Sequence, residues 1–407
     1  MNTAFLDDIR VLDLTRLFAG PFGGQLLGDF GADVIRVERL EGGDGARMAI
    51  PRLMNPDGSL SDEAASYLAL NRNKRSITTN IASADGQQLI RDLAARSDVF
   101  LENYKVGDLA RYGLDYASIK KVNPKIIYCS VTGFGQTGPD ADQPGTDPVF
   151  QARSGWTSVT GHPDTVENGG PLLAGIYVAD IFGGSFLAMG VLAALRLRDR
   201  TGVGQHIDLS LLDVAVATTS HAAQEYLVSG EQKERLGWRM AAVVPGGIMP
   251  CRDGSIVAIP STQDQVKIFL DILGIPERFE DPRFSTMVSR IHNRAELEPE
   301  IFALTAQWTK ADLTRALHQA HVPVSPLNDF AEVFADPQVI ARNLVHELDH
   351  PISGKVKILT NPIKFSETPI DSYRRPPMRG EHTDEVLNEV LGLSPQRIAE
   401  LRASGVI

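Results

Sequence analysis

Short apolar runs alternate with segments of helical period over the first 131 residues, the pattern of a parallel sheet covered by helices. Residues 9–15 (IRVLDLT), 33–38 (DVIRVE), 76–80, 98–102 and 126–131 read as strands. After the first, a turn at Ala19-Gly20-Pro21 precedes a helix from Phe22 to Phe30, which Gly31 stops. Another helix is expected at 86–96, and Gly42 to Ala64, rich in Gly, Pro, Asp and Ser, reads as a long loop. Beyond Asp213 the periodicity weakens. Pro245-Gly246-Gly247, Asp253-Gly254 and a short strand at 255–259 mark a smaller α+β unit, with helices near 263–273 and 309–320. His321 to Pro326 reads as an extended linker, 349–362 as a turn-rich crossing, and 384–391 and 395–402 as closing amphipathic helices. The fold class is α/β: a large domain with a parallel sheet, built from 1–224 and 326–407, and a small α+β domain over 225–325.

The stretch Pro171–Asp213 organises the rest. A short apolar run ends in Asp180, and 15 uncharged residues, Ile181 to Leu195, follow. Phe182, Phe186, Met189 and Leu192 recur at helical steps, so a buried helix is expected. Arg196, Arg198 and Arg200 suit its C-terminal dipole, and Gly202 and Gly204 stop it. Asp180 then stands at the helix N-terminus, beside Gly183 and Gly184, which leave room for a ligand near the backbone. Spacing alone leaves two readings: an N-cap on a core helix, or a carboxylate nucleophile at the floor of a cleft.

Composition narrows the class. The chain has 407 residues, 43% of them hydrophobic, with 40 basic against 51 acidic residues and a net charge of −11. That argues for about two domains, and against nucleic acid or an anionic membrane as partner. Cys129 and Cys251, each in apolar surroundings, read as buried thiols of a reducing compartment. The N-terminal stretch has acids where a signal peptide has bases, and no run reaches the ~20 apolar residues that span a bilayer. A cytoplasmic location is expected.

Basic residues recur after strand ends: Arg39, Lys74 and Arg75, then Lys105 and Arg111. In an open parallel sheet ligands bind there, so these cations are candidates to hold a phosphate-rich ligand. Gly133-Phe-Gly-Gln-Thr-Gly138 matches the dinucleotide fingerprint literally, but Pro139 and Pro144 follow where a helix must begin, and a nicotinamide cofactor is rejected. His346 and His350 flank a turn signal rather than sharing a helix face, so no metal site is expected. Ser185 and Ser210 lack a nucleophile-elbow context, and Cys129 lies inside a strand.

These motifs resemble the class III CoA-transferase family, also called the CaiB/BaiF family. The similarity runs through RLFAGPFGGQLLGDFGADVIRVER at 16–39, NRNKRSI at 71–77, ENYKVGDLARYGL at 102–114 and GFGQTGP at 133–139. It continues through the Asp180 segment and RGEHTDEVLNEVLGL at 379–393. The resemblance implies a Rossmann-like large domain, and a homodimer whose chains interlace, with segments near 201–225 and 326–345 mutually buried. It implies that coenzyme A is a substrate rather than a tightly bound cofactor, and that Asp180 is the nucleophile. The family's CoA contacts fall on Leu17, Phe18, Arg39, Leu70, Asn71, Arg72, Asn73, Lys74, Arg75, Asn103, Tyr104, Lys105 and Arg111. Its glycine loop over the active site matches Gly246 and Gly247 most nearly. Phe18 stands where oxalate-specific members carry glutamine, which argues against oxalate.

The activity so implied is transfer of CoA from a donor such as succinyl-CoA to an acceptor carboxylate, through an aspartyl-CoA thioester. An ordinary or lowered carboxylate pKa suits Asp180, with oxyanion donors at Gly183 and Gly184 or at Gly246 and Gly247. Arg47, Arg52 and Arg153 are candidates for an acceptor's second carboxylate, favouring dicarboxylates. The alternative within the family is an α-methylacyl-CoA racemase, whose His–Asp pair is Thr146-Asp147 here and so lacks the imidazole base. A non-catalytic CoA-binding protein is the remaining class, and Asp180 in its family context speaks against it.

Overall fold

A computed structural model describes residues 4–407; Met1 to Thr3, the start of the acidic N-terminal stretch and of the expected large domain, lie outside the described residues. The chain divides into two compact units. One comprises 1–156, 173–231 and 343–407; the other comprises 157–172 and 232–342. The second unit thus begins at Gln232 rather than 225, extends to Arg342, and takes in 157–172.

The first unit is built on six parallel strands: β1 (Arg10–Asp13), β2 (Asp33–Glu38), β3 (Lys74–Thr78), β4 (Val99–Glu102), β5 (Ile127–Thr132) and β6 (Gln205–Ser210). Their order is β6-β5-β4-β1-β2-β3, so the chain runs outward from β1 on one side and from β4 on the other. That is the doubly wound order, with its switch point between β1 and β4. Alternation of side chains buries both faces. Val11, Val34, Leu101 and Cys129 pack against α1 (Ala19–Asp29) and the long helix Val178–Thr201. Leu12, Ile35, Phe100 and Tyr128 face the helices Ala84–Ala95 and Thr383–Leu391.

Several local readings change. β6 has no counterpart among the strands expected from the sequence, and 349–362, expected as a turn-rich crossing, belongs mostly to a hairpin of Val345–His350 with Gly354–Leu359. α1 starts at Ala19, so Ala19-Gly20-Pro21 is its first turn; proline is tolerated there because first-turn N–H groups have no intrahelical acceptor. β3 begins at Lys74, earlier than the 76–80 reading, because Lys74 and Arg75 are buried in the strand. Within 42–64 lie a 3-10 turn (Gly45–Met48) and a hairpin (Arg52–Met54 with Leu60–Ala64). The inward residues of that hairpin are Ser61 and Glu63, so polarity hid its alternation. In the second unit, Val324–Pro326 is no linker: it pairs with Gly254–Ala258 as the third strand of an antiparallel sheet.

Val178–Thr201 spans 24 residues: it begins before the Ile181 start of the uncharged core and ends, as expected, at Gly202, which caps it in a left-handed conformation. Its mean hydropathy reaches 1.9, so by length and composition alone it could cross a membrane, against the expectation that no segment would. It lies on α1 and β5 as the core helix of the first unit, but through Gly183, Gly184, Leu187, Ala188 and Val191; Phe182, Phe186 and Met189, expected from their spacing to form the buried stripe, are exposed.

Candidate functional site: a cleft at the switch point of the sheet

The chain leaves β1 through Leu14 to Phe18 and leaves β4 through Asn103 to Lys105. These two loops are clipped together. Asn103 accepts the Arg16 N–H through Oδ1 at 2.9 Å and donates from Nδ2 to the Arg16 carbonyl at 2.8 Å. The Arg16 guanidinium lies 4.3 Å over the Tyr104 ring. Leu17 is held at φ 68, a conformation rare for a branched side chain. Its N–H is bound by the Asp44 carboxylate, which also caps the 3-10 turn at Ala46 and pairs with buried Arg36. Buried charges thus fix the backbone that forms the site.

Beyond these loops opens a cleft of about 540 Å³, lined by Arg16, Leu17, Phe18, Asn103, Tyr104, Lys105, Thr146, Asp147, Tyr177 and Asp180 among others. Phe18 and Tyr177 form an aromatic wall, their rings 4.6 Å apart. The N-terminus of α1 opens into the cleft at Ala19, where a doubly wound sheet presents N–H groups to anions.

Asp180 is not a cap. The helix Val178–Thr201 is capped at Tyr177, and Asp180 is its third residue. Its backbone N–H donates to Asp147 Oδ2 at 3.1 Å. Asp147 is buried at the first position of α2 (Asp147–Arg153), and its other oxygen accepts from Gln151 Nε2. No described residue donates a hydrogen bond to the Asp180 carboxylate, which lines the cleft. Burial, reinforced by the Asp147 charge, pushes its pKa up from 3.8 to about 7. The expectation of an ordinary or lowered value is therefore corrected: desolvation and a like charge outweigh the helix dipole.

Gly183 and Gly184 do not open space for a ligand. A Cβ on Gly183 would fall 2.4 Å from Leu211 Cδ2, and one on Gly184 would fall 2.6 Å from the Ala19 carbonyl oxygen. They are contact points of α1, of the long helix and of the helix Leu211–Thr218, and their N–H groups lie inside the helix rather than free for an oxyanion.

The remaining sequence candidates separate. Arg39 is exposed, with Nε on the Gly43 carbonyl, in a recess it shares with Arg16 and Tyr104. Arg111 is exposed and pairs with Asp108 at 2.6 Å. Leu70 is buried, and Asn71 accepts from Lys74. Three cations expected to hold phosphate are committed internally. Lys74 is buried on Asp13 at 3.0 Å and on the Pro21 carbonyl, Arg72 grips Asp29, and Arg75 binds Asp33, Glu385 and Glu389. Asn73 donates to Asp29 and exchanges hydrogen bonds with Arg374. Arg47 is likewise buried, between Glu38 and Glu63, and Arg153 pairs with Asp140, so neither stands free for an acceptor carboxylate. Gly246 and Gly247 belong to the second unit, where a Cβ on Gly247 would meet the Trp238 carbonyl oxygen at 2.1 Å.

Arg16 escaped the sequence reading, and Asp147 entered it only as the counterpart of a racemase pair, with no link to Asp180. Arg16 follows β1 as the other cations follow their strands, and that rule would have found it. Asp147 meets Asp180 across 33 residues of chain, and nothing local signals the contact.

The pattern of CoA-transferase family III matches residues 6–383. The chain belongs to that family. It is a CoA-transferase, an enzyme that exchanges coenzyme A between acyl groups. It is 42% identical, over 95% of both chains, to a succinate–glutarate CoA-transferase of Agrobacterium fabrum. It is 38% identical to the human succinyl-CoA:glutarate CoA-transferase, over all of this chain and 90% of that one. Among solved structures, a CaiB/BaiF family protein from Brucella suis superposes with a TM-score of 0.87 at 39% identity, covering 96% of this chain and all of that one. A Mycobacterium tuberculosis protein, Rv3272, superposes at 0.81 with 28% identity, over 94% and 99% of the two chains.

Proposed function

We propose that this CoA-transferase moves CoA from succinyl-CoA to a dicarboxylate of glutarate type, with Asp180 as nucleophile. The observation that carries the reading is Asp180 itself: a carboxylate on a helix, with no hydrogen-bond donor among the described residues, facing a cleft at the switch point. The Asp180 carboxylate attacks the thioester carbonyl, forming a mixed anhydride and releasing CoA thiolate. The thiolate attacks the aspartyl carbonyl, giving an aspartyl-CoA thioester and free succinate. The acceptor carboxylate attacks that thioester, and the returning thiolate takes the acceptor's acyl group and frees Asp180. Each step exchanges one activated acyl bond for another, so activation is kept while water stays out.

In this reading the phosphates of CoA fall to Arg16, Lys105 and Arg39 and to the N-terminus of α1, supported by their positions along the cleft and the recess beside it. The dicarboxylate assignment draws on the glutarate-specific relatives, since Arg47 and Arg153 are spoken for within the chain. The buried free thiols Cys129 and Cys251 fit a reducing, cytoplasmic location.

We read the active form as a homodimer. Exposed apolar side chains crowd the segments expected to interlace: Tyr226, Leu227 and Val228 in the first unit, and Leu327, Phe330 and Ile340 in the second. Phe182, Phe186 and Met189 on the Asp180 helix are also exposed, an arrangement that calls for a covering partner.

The test is incubation with succinyl-CoA and glutarate, reading glutaryl-CoA by mass spectrometry, for wild type, Asp180→Ala and Asp180→Asn. Wild type forms the product, and both variants lose at least about a thousandfold while still binding CoA. Turnover retained in Asp180→Ala rules the nucleophile out.

A further inference from the structure

The proposed mechanism uses Asp180 alone, yet a second carboxylate is built against it. Asp147 is 2% exposed. Its Oδ2 accepts the Asp180 N–H at 3.1 Å, and its Oδ1 accepts from Gln151 Nε2. Gln151 cannot turn over freely, because its Oε1 holds the Ala174 N–H at 2.9 Å. Asp147 therefore accepts a hydrogen bond on each oxygen, the role of an acceptor-only carboxylate.

We propose that Asp147 is a positioning residue for Asp180: it fixes the first turn of the nucleophile's helix, and its charge opposes the ionised resting state of Asp180. Resting on the nucleophile reading, this has a consequence for the reaction cycle. Asp180 carries one negative charge at rest and none once it is an anhydride or a thioester. The departing charge leaves with CoA thiolate and then with succinate, so the balance is kept. A fixed carboxylate beside Asp180 thus raises the free energy of the resting enzyme relative to the covalent states, and leaves Asp180 more basic and more nucleophilic. The upward shift of Asp180 to about 7 agrees.

Other charged groups on the elements packed around Asp180 are turned elsewhere. Asp29 binds Arg72, Arg153 binds Asp140, and Asp208 holds the Gln136 N–H. His206 is bonded to Ser130, and Asp213 is exposed. Arg16, Lys105 and Asp142 share the cleft wall with Asp180 but form no ion pair with it. Glu102, next to the wall, is also pushed up to about 7 by burial. A pH profile of wild type alone would therefore not identify its ionising group, and the comparison between variants does.

The experiment measures kcat/KM for succinyl-CoA against pH, together with the steady-state fraction of Asp180 trapped by hydroxylamine, for wild type, Asp147→Asn and Asp147→Glu. In Asp147→Asn the acid limb moves down by about one pH unit and the trapped fraction falls several-fold. Asp147→Glu, which keeps the charge, retains the wild-type limb. Should Asp147→Asn not fold, Asp147→Ser removes the same charge with a smaller side chain. An acid limb unmoved in the uncharged variant, with or without a fall in kcat, overturns the proposal. If wild type itself traps no Asp180 adduct, the nucleophile reading has failed instead.

Discussion

Each side chain in the cleft is shaped by a balance between burial and a neighbour. Asp180 has an ordinary pKa of 3.8 in the unfolded chain and about 7 when folded. Between these values the folded protein holds a proton that the unfolded chain has lost, so this group makes stability fall as pH rises through the window. Above it, the full cost of keeping a desolvated charge is present. Asp180→Asn is therefore expected to melt higher than wild type at pH 8, with the gain shrinking towards pH 5. Scanning calorimetry at both values checks this, and a gain that grows at pH 5 would contradict it. The sequence marked Asp180 through its apolar flanks and family context. The shift was not legible, because it depends on a cleft wall and on Asp147. The strand-end cations teach the converse. Lys74, Arg75 and Arg39 look alike in sequence, yet only Arg39 stays exposed, since Asp13 on β1 and Asp33 on β2 claim the other two.

At the scale of elements, the site depends on how closely two helices approach. α1 and the Asp180 helix cross backbone to backbone, Gly23 against the Gly184 carbonyl and Gly184 against Ala19. Both helices lead into the cleft, one through Phe18 and Ala19, the other through Tyr177 and Asp180. Widening that crossing would move both sides of the site at once. Gly184→Ala should cost about 1–3 kcal/mol of stability and reduce turnover, because the added methyl meets rigid backbone. Gly190→Ala on the same helix is the control. Its nearest neighbour would be Ile207 Cγ2 at 3.8 Å, and removing a mid-helix glycine is expected to stabilise by about 0.5–1 kcal/mol. Urea unfolding of the two variants separates packing from helix propensity. The helices themselves were readable from their period, to within a turn at their ends. The hairpin within 42–64 was not, because its inward Glu63 answers to Arg47 rather than to an apolar core.

At the scale of the molecule, exposed apolar side chains argue for assembly. If the segments around Tyr226 to Val228 and Leu327 to Ile340 interlace between two copies, light scattering should return twice the chain mass of 44.3 kDa at all practical concentrations. Dilution should lead to unfolding rather than to a folded monomer. A stable, active species of single-chain mass would refute the dimer.

The alternation of strands and helices over the first 131 residues, the place of Asp180 after an apolar run, and the family itself followed from the sequence alone. Each is carried by local period, turn chemistry or contiguous motif, which the linear chain records. Which cations are free, why Gly183 and Gly184 are glycine, and the pairing of Asp147 with Asp180 were decided only by the tertiary structure. These depend on contacts between residues distant in the chain, where burial and charge are fixed by what the fold brings near.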